Sequence, residues 1–182
     1  MKHKWFLLSV TLILAGCASV VHQGHARRLD ASAVRIFLPQ FANATEDEHA
    51  ARAVTELAAS ALLERSVPLV QTEAALVHSR AENAAGADGL YLETARSLKA
   101  THLLIGTVHE YRYKTDLDGN PAVGISLRLV DVTDGHTVWQ GSSSRVSVFL
   151  ASLSKTAQRA VRDLVAQLPL THPSPGPAAS HP

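Results

Sequence analysis

Between residues 101 and 149 the chain alternates apolar and polar side chains three times over, in THLLIGTVHEYRYK (101–114), PAVGISLRLVDV (121–132) and HTVWQGSSSRVSVF (136–149). A period of two sends successive side chains to opposite faces, so each segment predicts a strand with one buried and one wetter face. The connections are short. TDGH (133–136) carries Asp134-Gly135, among the strongest hairpin sequences, and the segment before Pro121 carries Gly119. Strands joined by so few residues run antiparallel, because a parallel return needs a crossover of a dozen residues or more. A three-stranded antiparallel meander follows, and the rest of the chain has to pack on it.

Upstream the period changes. AVRIFLPQF (33–41) reads as a first strand, with Val34, Ile36 and Leu38 alternating before Pro39 stops it. ATEDEHAARAVTELAASALLERS (44–66) predicts an alanine-rich helix capped by Thr45, with acidic residues in its first turn and Val54, Leu57, Ala58, Ala61 and Leu62 inward. VPLVQ (67–71) is a short strand, parallel to the first because a helix separates them. Residues 73–87 are weakly helical, and ADGLYLETARSLKA (87–100) is more clearly so, with Leu90, Ala95 and Leu98 inward. After the meander, LASLSKTAQRAVRDLVAQL (150–168) puts Leu153, Ala157, Val161, Leu164 and Leu168 on one stripe. The order β-α-β-α-β-β-β-α predicts one α/β (α+β) domain, with helices packed on a mixed sheet.

The connection KTDLDGNPAVG (114–124) poses a question of its own. Asp116, Asp118 and Asn120 sit at alternate positions, as at the start of a calcium loop. That pattern next needs glycine at its sixth position and a bidentate glutamate at its twelfth, where Pro121 and Leu127 stand. The segment is a hairpin loop first, its polar side chains satisfying turn backbone. The ten histidines do not build a metal site either. His22 and His25 fall near one end, His172 and His181 near the other, and His102, His109 and His136 on strands, with no H-E-x-x-H or Cys/His cluster. GSSSR (141–145) lacks the second glycine of a nucleophile elbow, and no glycine-rich loop opens a helix after a strand. The expectation is a non-catalytic protein with no cofactor and no metal.

The ends say where it works. MKHKWFLLSVTLILAGCASV begins with a basic region (Lys2, Lys4), continues with an apolar run from Trp5 to Leu14 too short to be a permanent membrane span, and reaches the sole cysteine, Cys17. The string LAGC resembles a bacterial lipobox. Such a motif implies cleavage of residues 1–16 and acylation of Cys17, palmitate included, on a thiol nucleophilic enough to form the thioether. Ala18 follows in place of the aspartate that retains lipoproteins at the inner membrane, so the expected place is the outer membrane, lipid-anchored and facing the periplasm. Residues 17–30 read as a lipidated polar tether, 31–168 as the folded domain, and 169–182, rich in proline, as a disordered tail. Of 17 basic residues Lys2 and Lys4 leave with the leader, so bases do not outnumber the 16 acids and no nucleic-acid footprint remains.

What is left is surface. Strict alternation on the first meander strand would put Glu110, Arg112 and Lys114 on one face and His109, Tyr111 and Tyr113 on the other. Aromatics and arginine concentrate binding energy, so Tyr111, Arg112 and Tyr113 are candidates for a subunit interface.

The run EYRYKTDLDGNPAVGISLRLVDVTDGHTVWQ (110–140) is similar to the central segment of the PelC family, outer-membrane lipoproteins of Pel exopolysaccharide export. Tyr111-Arg112-Tyr113-Lys114, the stretch from Asp118 to Gly124, Asp131, Gly135 and Val138-Trp139 carry the likeness. It implies a homo-oligomeric ring, a dodecamer on this resemblance, under an outer-membrane porin (PelB-like). The ring's acidic funnel would guide a cationic exopolysaccharide during biofilm matrix export. Asp116, Asp118, Asp131 and Asp134 are the acidic candidates. Where the family pattern expects a tryptophan against the membrane, this chain has Val148-Phe149-Leu150, so Phe149 is the membrane-facing aromatic candidate. The competing class is a lipoprotein cofactor of another envelope machine, either a cell-wall synthase activator or a curli-type secretion lipoprotein. The curli type needs extra amphipathic hairpins of about ten residues per strand, which the chain lacks.

Overall fold

The alternation resolves into three long strands. In the computed structural model, which describes residues 18–23 (backbone only), 28–70, 88–115, 119–148 and 151–171, β6 (His102–Tyr113), β7 (Pro121–Asp131) and β8 (Thr137–Val146) form the antiparallel meander. Gly119 (φ 54°) and Gly135 (φ 76°) take the left-handed conformations that the two connections demand. The first strand is broken in two. β3 (Ile36–Phe37) ends before Pro39, which has no N–H to give a ladder, and the chain resumes as β4 (Ala42–Asn43). β3 pairs in parallel with β5 (Leu69–Val70) and with β6, and β4 pairs in parallel with β6 higher up. The parallel crossover expected between the first strand and VPLVQ is present.

Three helices are described. α1 (Ala50–Glu64) and α3 (Leu153–Ala166) pack side by side on one face of the sheet, over a core that includes Val54, Leu62, Leu104, Ile125, Leu129, Trp139, Val161 and Leu164. α2 (Asp88–Ser97) covers a smaller cluster on the other face, built from Phe37, Tyr91, Ala95, Leu103 and Val130. Four alanines of the first pair, Ala58, Ala61, Ala157 and Ala160, are buried and let the helices approach closely. Arg65 follows α1 and donates to the carbonyl oxygens of Val165, in the last turn of α3, and of Leu170, beyond it. Residues 73–87, expected to be weakly helical, lie outside the described residues.

Several local expectations are corrected. Thr45 does not cap α1. Its hydroxyl bonds to the Asn43 side chain, Asp47 takes the His49 N–H, and residues 44–49 form a turned approach, so the helix starts at Ala50 with no acid in its first turn. α3 is capped by Ser152, whose Oγ accepts the Lys155 N–H at 3.2 Å. In α2 the inward stripe is Tyr91 and Ala95, with Leu92 and Leu98 half-buried, while Leu90 is exposed. Two stretches of the expected tether are strands as well. Ala18–Gln23 form β1, an edge strand antiparallel to β8 with Ala18 opposite Arg145 and Gln23 opposite Gln140. Leu29–Asp30 (β2) pair in parallel with Leu170–Thr171 (β9), so the start of the supposed tail closes the domain. Nothing local announces these pairings, because their partners lie more than a hundred residues away. The main sheet thus runs β1-β8-β7-β6-β3-β5, with β4 beside β6.

Candidate functional site

The candidate interface residues sit at the end of the meander where β6 meets β7. A β-bulge between Val108 and Glu110 changes the alternation there. His109 swings to the face away from α3, where its Nε2 lies 2.8 Å from Ser126 Oγ, and so parts from the two tyrosines. Glu110 and Arg112 share a face, and Arg112 Nε donates to Glu110 Oε1 at 3.1 Å. Tyr111 and Tyr113 turn towards the first turn of α3. The Tyr113 hydroxyl accepts the N–H of Leu153, and the Tyr111 hydroxyl is bonded to the Ser154 side chain. Burial pushes the Tyr111 phenol above its ordinary pKa, Asp47 and Tyr113 add to that, and the bond to Ser154 opposes it. All three candidates therefore have partners inside the subunit. Tyr113 is still half exposed, at 52%, and Val148, just past β8 at the same end of the sheet, is 53% exposed.

The four acidic candidates separate into two groups. Asp116 and Asp118, in the β6–β7 connection, lie outside the described residues, as do Cys17 and Phe149. The connection is closed by a hydrogen bond from Lys114 N–H to the Asn120 carbonyl at 2.8 Å. Asp131 and Asp134 belong to the β7–β8 hairpin at the other end of the sheet. Asp131 Oδ1 accepts the Thr133 N–H, and Asp134 Oδ1 accepts the His136 N–H and lies 3.3 Å from His136 Nδ1. That backbone bond, with the neighbouring imidazole, holds the Asp134 carboxyl below its ordinary pKa. The eleven residues of β7 separate the two ends, which at ~3.3 Å per residue is roughly 35 Å.

The histidines divide similarly. His102 is buried, its Nδ1 2.9 Å from Thr101 Oγ1 and its Nε2 without a partner among the described residues. Burial lowers its pKa, and Asp131 across the strand pair partly offsets this. Among the described residues no group of three His, Cys, Asp or Glu side chains could hold a metal ion. No described helix is long and apolar enough to cross a membrane.

One surface was not singled out from sequence. The outer ridge of α3 carries Lys155, Arg159 and Arg162, all exposed, at helical spacing (i, i+4, i+7) that SKTAQRAVR would have revealed. On its flanks Asp163 takes Arg145 of β8, and Arg162 reaches Glu64 of α1 at 2.7 Å.

No family model and no curated protein sequence matches the chain; its likenesses are to solved structures. A PelC dodecamer from Paraburkholderia phytofirmans is 26% identical over 82% of this chain and 96% of that one, with a TM-score of 0.65. The chain resembles PelC. A point variant of the same protein superposes at a TM-score of 0.68 over the same spans. The lipoprotein GNA1162 from Neisseria meningitidis, 21% identical over 74% of this chain and 96% of that one, shares the fold at a TM-score of 0.56. A PelC-like mixed sheet with three helices is therefore an architecture that a lipoprotein also uses. The strand and helix order read from the sequence agrees with it.

Proposed function

We propose that this chain is a non-catalytic, lipid-anchored ring subunit of an exopolysaccharide export system. It would be acylated on Cys17, face the periplasm from the outer membrane, and pass a cationic Pel-like polymer to a PelB-like porin. The observation that carries this reading is the likeness to the PelC dodecamer, which spans nearly the whole of that protein. The position of β1 supports the anchoring geometry. Ala18 follows Cys17 directly and pairs with Arg145, so acyl chains on Cys17 would attach at the β6–β7 end of the sheet, the end that also carries the exposed Tyr113 and Val148. Phe149 follows Val148 in the chain, in keeping with its candidacy as a membrane-facing aromatic. The Asp131–Asp134 hairpin would then hang roughly 35 Å away, towards the arriving polymer.

Exposed carboxylates attract a polycation weakly, each by well under about a kcal/mol, and a ring repeats every one of them around its axis. Many weak contacts let a chain slide where one strong site would hold it. The test has two parts. Deleting the gene should abolish polysaccharide secretion, with restoration by the wild type and not by Cys17→Ser, which should stay unprocessed and leave the outer-membrane fraction. Secretion unaffected by the deletion would reject the export role, and normal fractionation of Cys17→Ser would reject the anchor.

A further inference from the structure

We propose that copies of this chain associate side by side, the basic flank of α3 in one subunit meeting the acidic approach to α1 in the next. The inference rests on the ring reading and names its interface. Lys155 and Arg159 are exposed, lie one helical turn apart, and make no ion pair among the described residues. Both features cost the isolated subunit stability. Like charges at i, i+4 repel, and Lys155 stands in the first turn, where the helix dipole disfavours a cation. Arg159 lies on the same flank as Asp163, which is bonded to Arg145, so this flank looks towards the β8–β1 edge of the sheet.

The acidic surface is at the same level and on the other side. Ala42–Asn43 pair with Thr107–Val108, beyond the reach of β3 and β5, so among the described residues the strands at this height run β1-β8-β7-β6-β4. Residues 44–49 leave from the β4 edge, about 20 Å across five strands from β1. Asp47 turns inward to cap the His49 N–H and lies near enough to Tyr111 to raise its pKa. Glu46 and Glu48 are exposed on either side of it. Glu46 has no ion pair among the described residues, and Glu48 faces only the equally exposed His49 at 3.4 Å. A two-fold dimer through α3 would set base against base. Complementary patches on opposite edges instead favour a head-to-tail contact, the kind that closes into a ring.

The test uses the full-length acylated protein in detergent, with mass measured by light scattering and native mass spectrometry. Lys155→Glu/Arg159→Glu should dissociate the wild-type oligomer to monomers, and so should Glu46→Lys/Glu48→Lys. Combining all four should restore the oligomer. Raising salt from about 0.1 M to about 1 M shortens the screening length from ~10 to ~3 Å and should weaken the wild-type assembly. Oligomers of unchanged mass in both charge reversals would overturn this interface and leave the ring standing. A monomeric wild type would overturn the ring and this inference with it.

Discussion

The hydroxyl of Tyr113 accepts the backbone N–H of Leu153 at 3.2 Å, so a strand end caps the first turn of the helix packed beside it. The first N–H groups of a helix have no partner within it, and Ser152 and Tyr113 each take one here. Tyr113→Phe removes the acceptor and keeps the ring. It should lower the urea midpoint by the equivalent of about 1 kcal/mol, the usual net value of one hydrogen bond. Oligomer mass should not change, because the bond is internal. A variant that unfolds like the wild type and assembles poorly would instead return Tyr113 to the subunit interface.

His102 gives the fold a pH dependence of known sign. Burial lowers its pKa in the folded state, whereas the unfolded chain protonates near the ordinary value of about 6.5. As pH falls through that value the unfolded state gains a proton that the folded state resists, so stability is full above about pH 6.5 and declines below it. The slope is at most about 1.4 kcal/mol per pH unit, until the folded histidine titrates too. Denaturation at about pH 7.5 and about pH 5.5 should show the loss in the wild type, and His102→Gln should lessen it. Equal slopes in both proteins would assign the acid sensitivity elsewhere.

Gly141 leaves no room for a side chain between β8, its own Trp139 and α3. A Cβ built there would stand 2.8 Å from the Trp139 ring and 3.3 Å from Leu164, both fully buried. Gly141→Ala must therefore push the indole or the helix outward, at a cost of about 1–3 kcal/mol. Thermal unfolding should report it, whereas Gly89→Ala, where a Cβ meets nothing within 4 Å, should not show this overpacking cost.

Period and turn chemistry carried most of this fold. The meander, both parallel crossover strands and the stripe Ala157, Val161, Leu164 and Leu168 were legible because each depends on neighbours a few residues away. What escaped depends on distant partners. β1 is a strand only because β8 offers an edge, and β2 only because Leu170 and Thr171 come back to it. On β6 the pairs Glu110/Arg112 and Tyr111/Tyr113 keep the expected faces, and only His109 departs, because the bulge at that residue breaks the alternation once. The candidate acids were legible as residues, but the place of Asp131 and Asp134 on the hairpin at the far end of an eleven-residue β7 needed the sheet. The bases of α3 were visible at their spacing; their outward ridge needed the packing.

The length of β7 bears on what neutralising the acids should do. In a ring, Asp116 and Asp118 would form one acidic circle near the anchored end, and Asp131 and Asp134 a second, roughly 35 Å away by strand rise. A polymer threading the axis meets the circles in turn, so neither substitutes for the other. Asp116→Asn/Asp118→Asn and Asp131→Asn/Asp134→Asn should each lower secreted polysaccharide, and the fourfold variant should lower it further. Asparagine keeps the side-chain oxygen that accepts the Thr133 and His136 N–H groups, so the hairpin should stay folded while its charge is lost. The check is secreted polymer per cell at matched protein level, with oligomer mass confirmed for each variant. Loss confined to the hairpin pair would put the guide at the periplasmic entrance alone. Wild-type export by the fourfold variant would show that these carboxylates shape turns and do not meet the polymer.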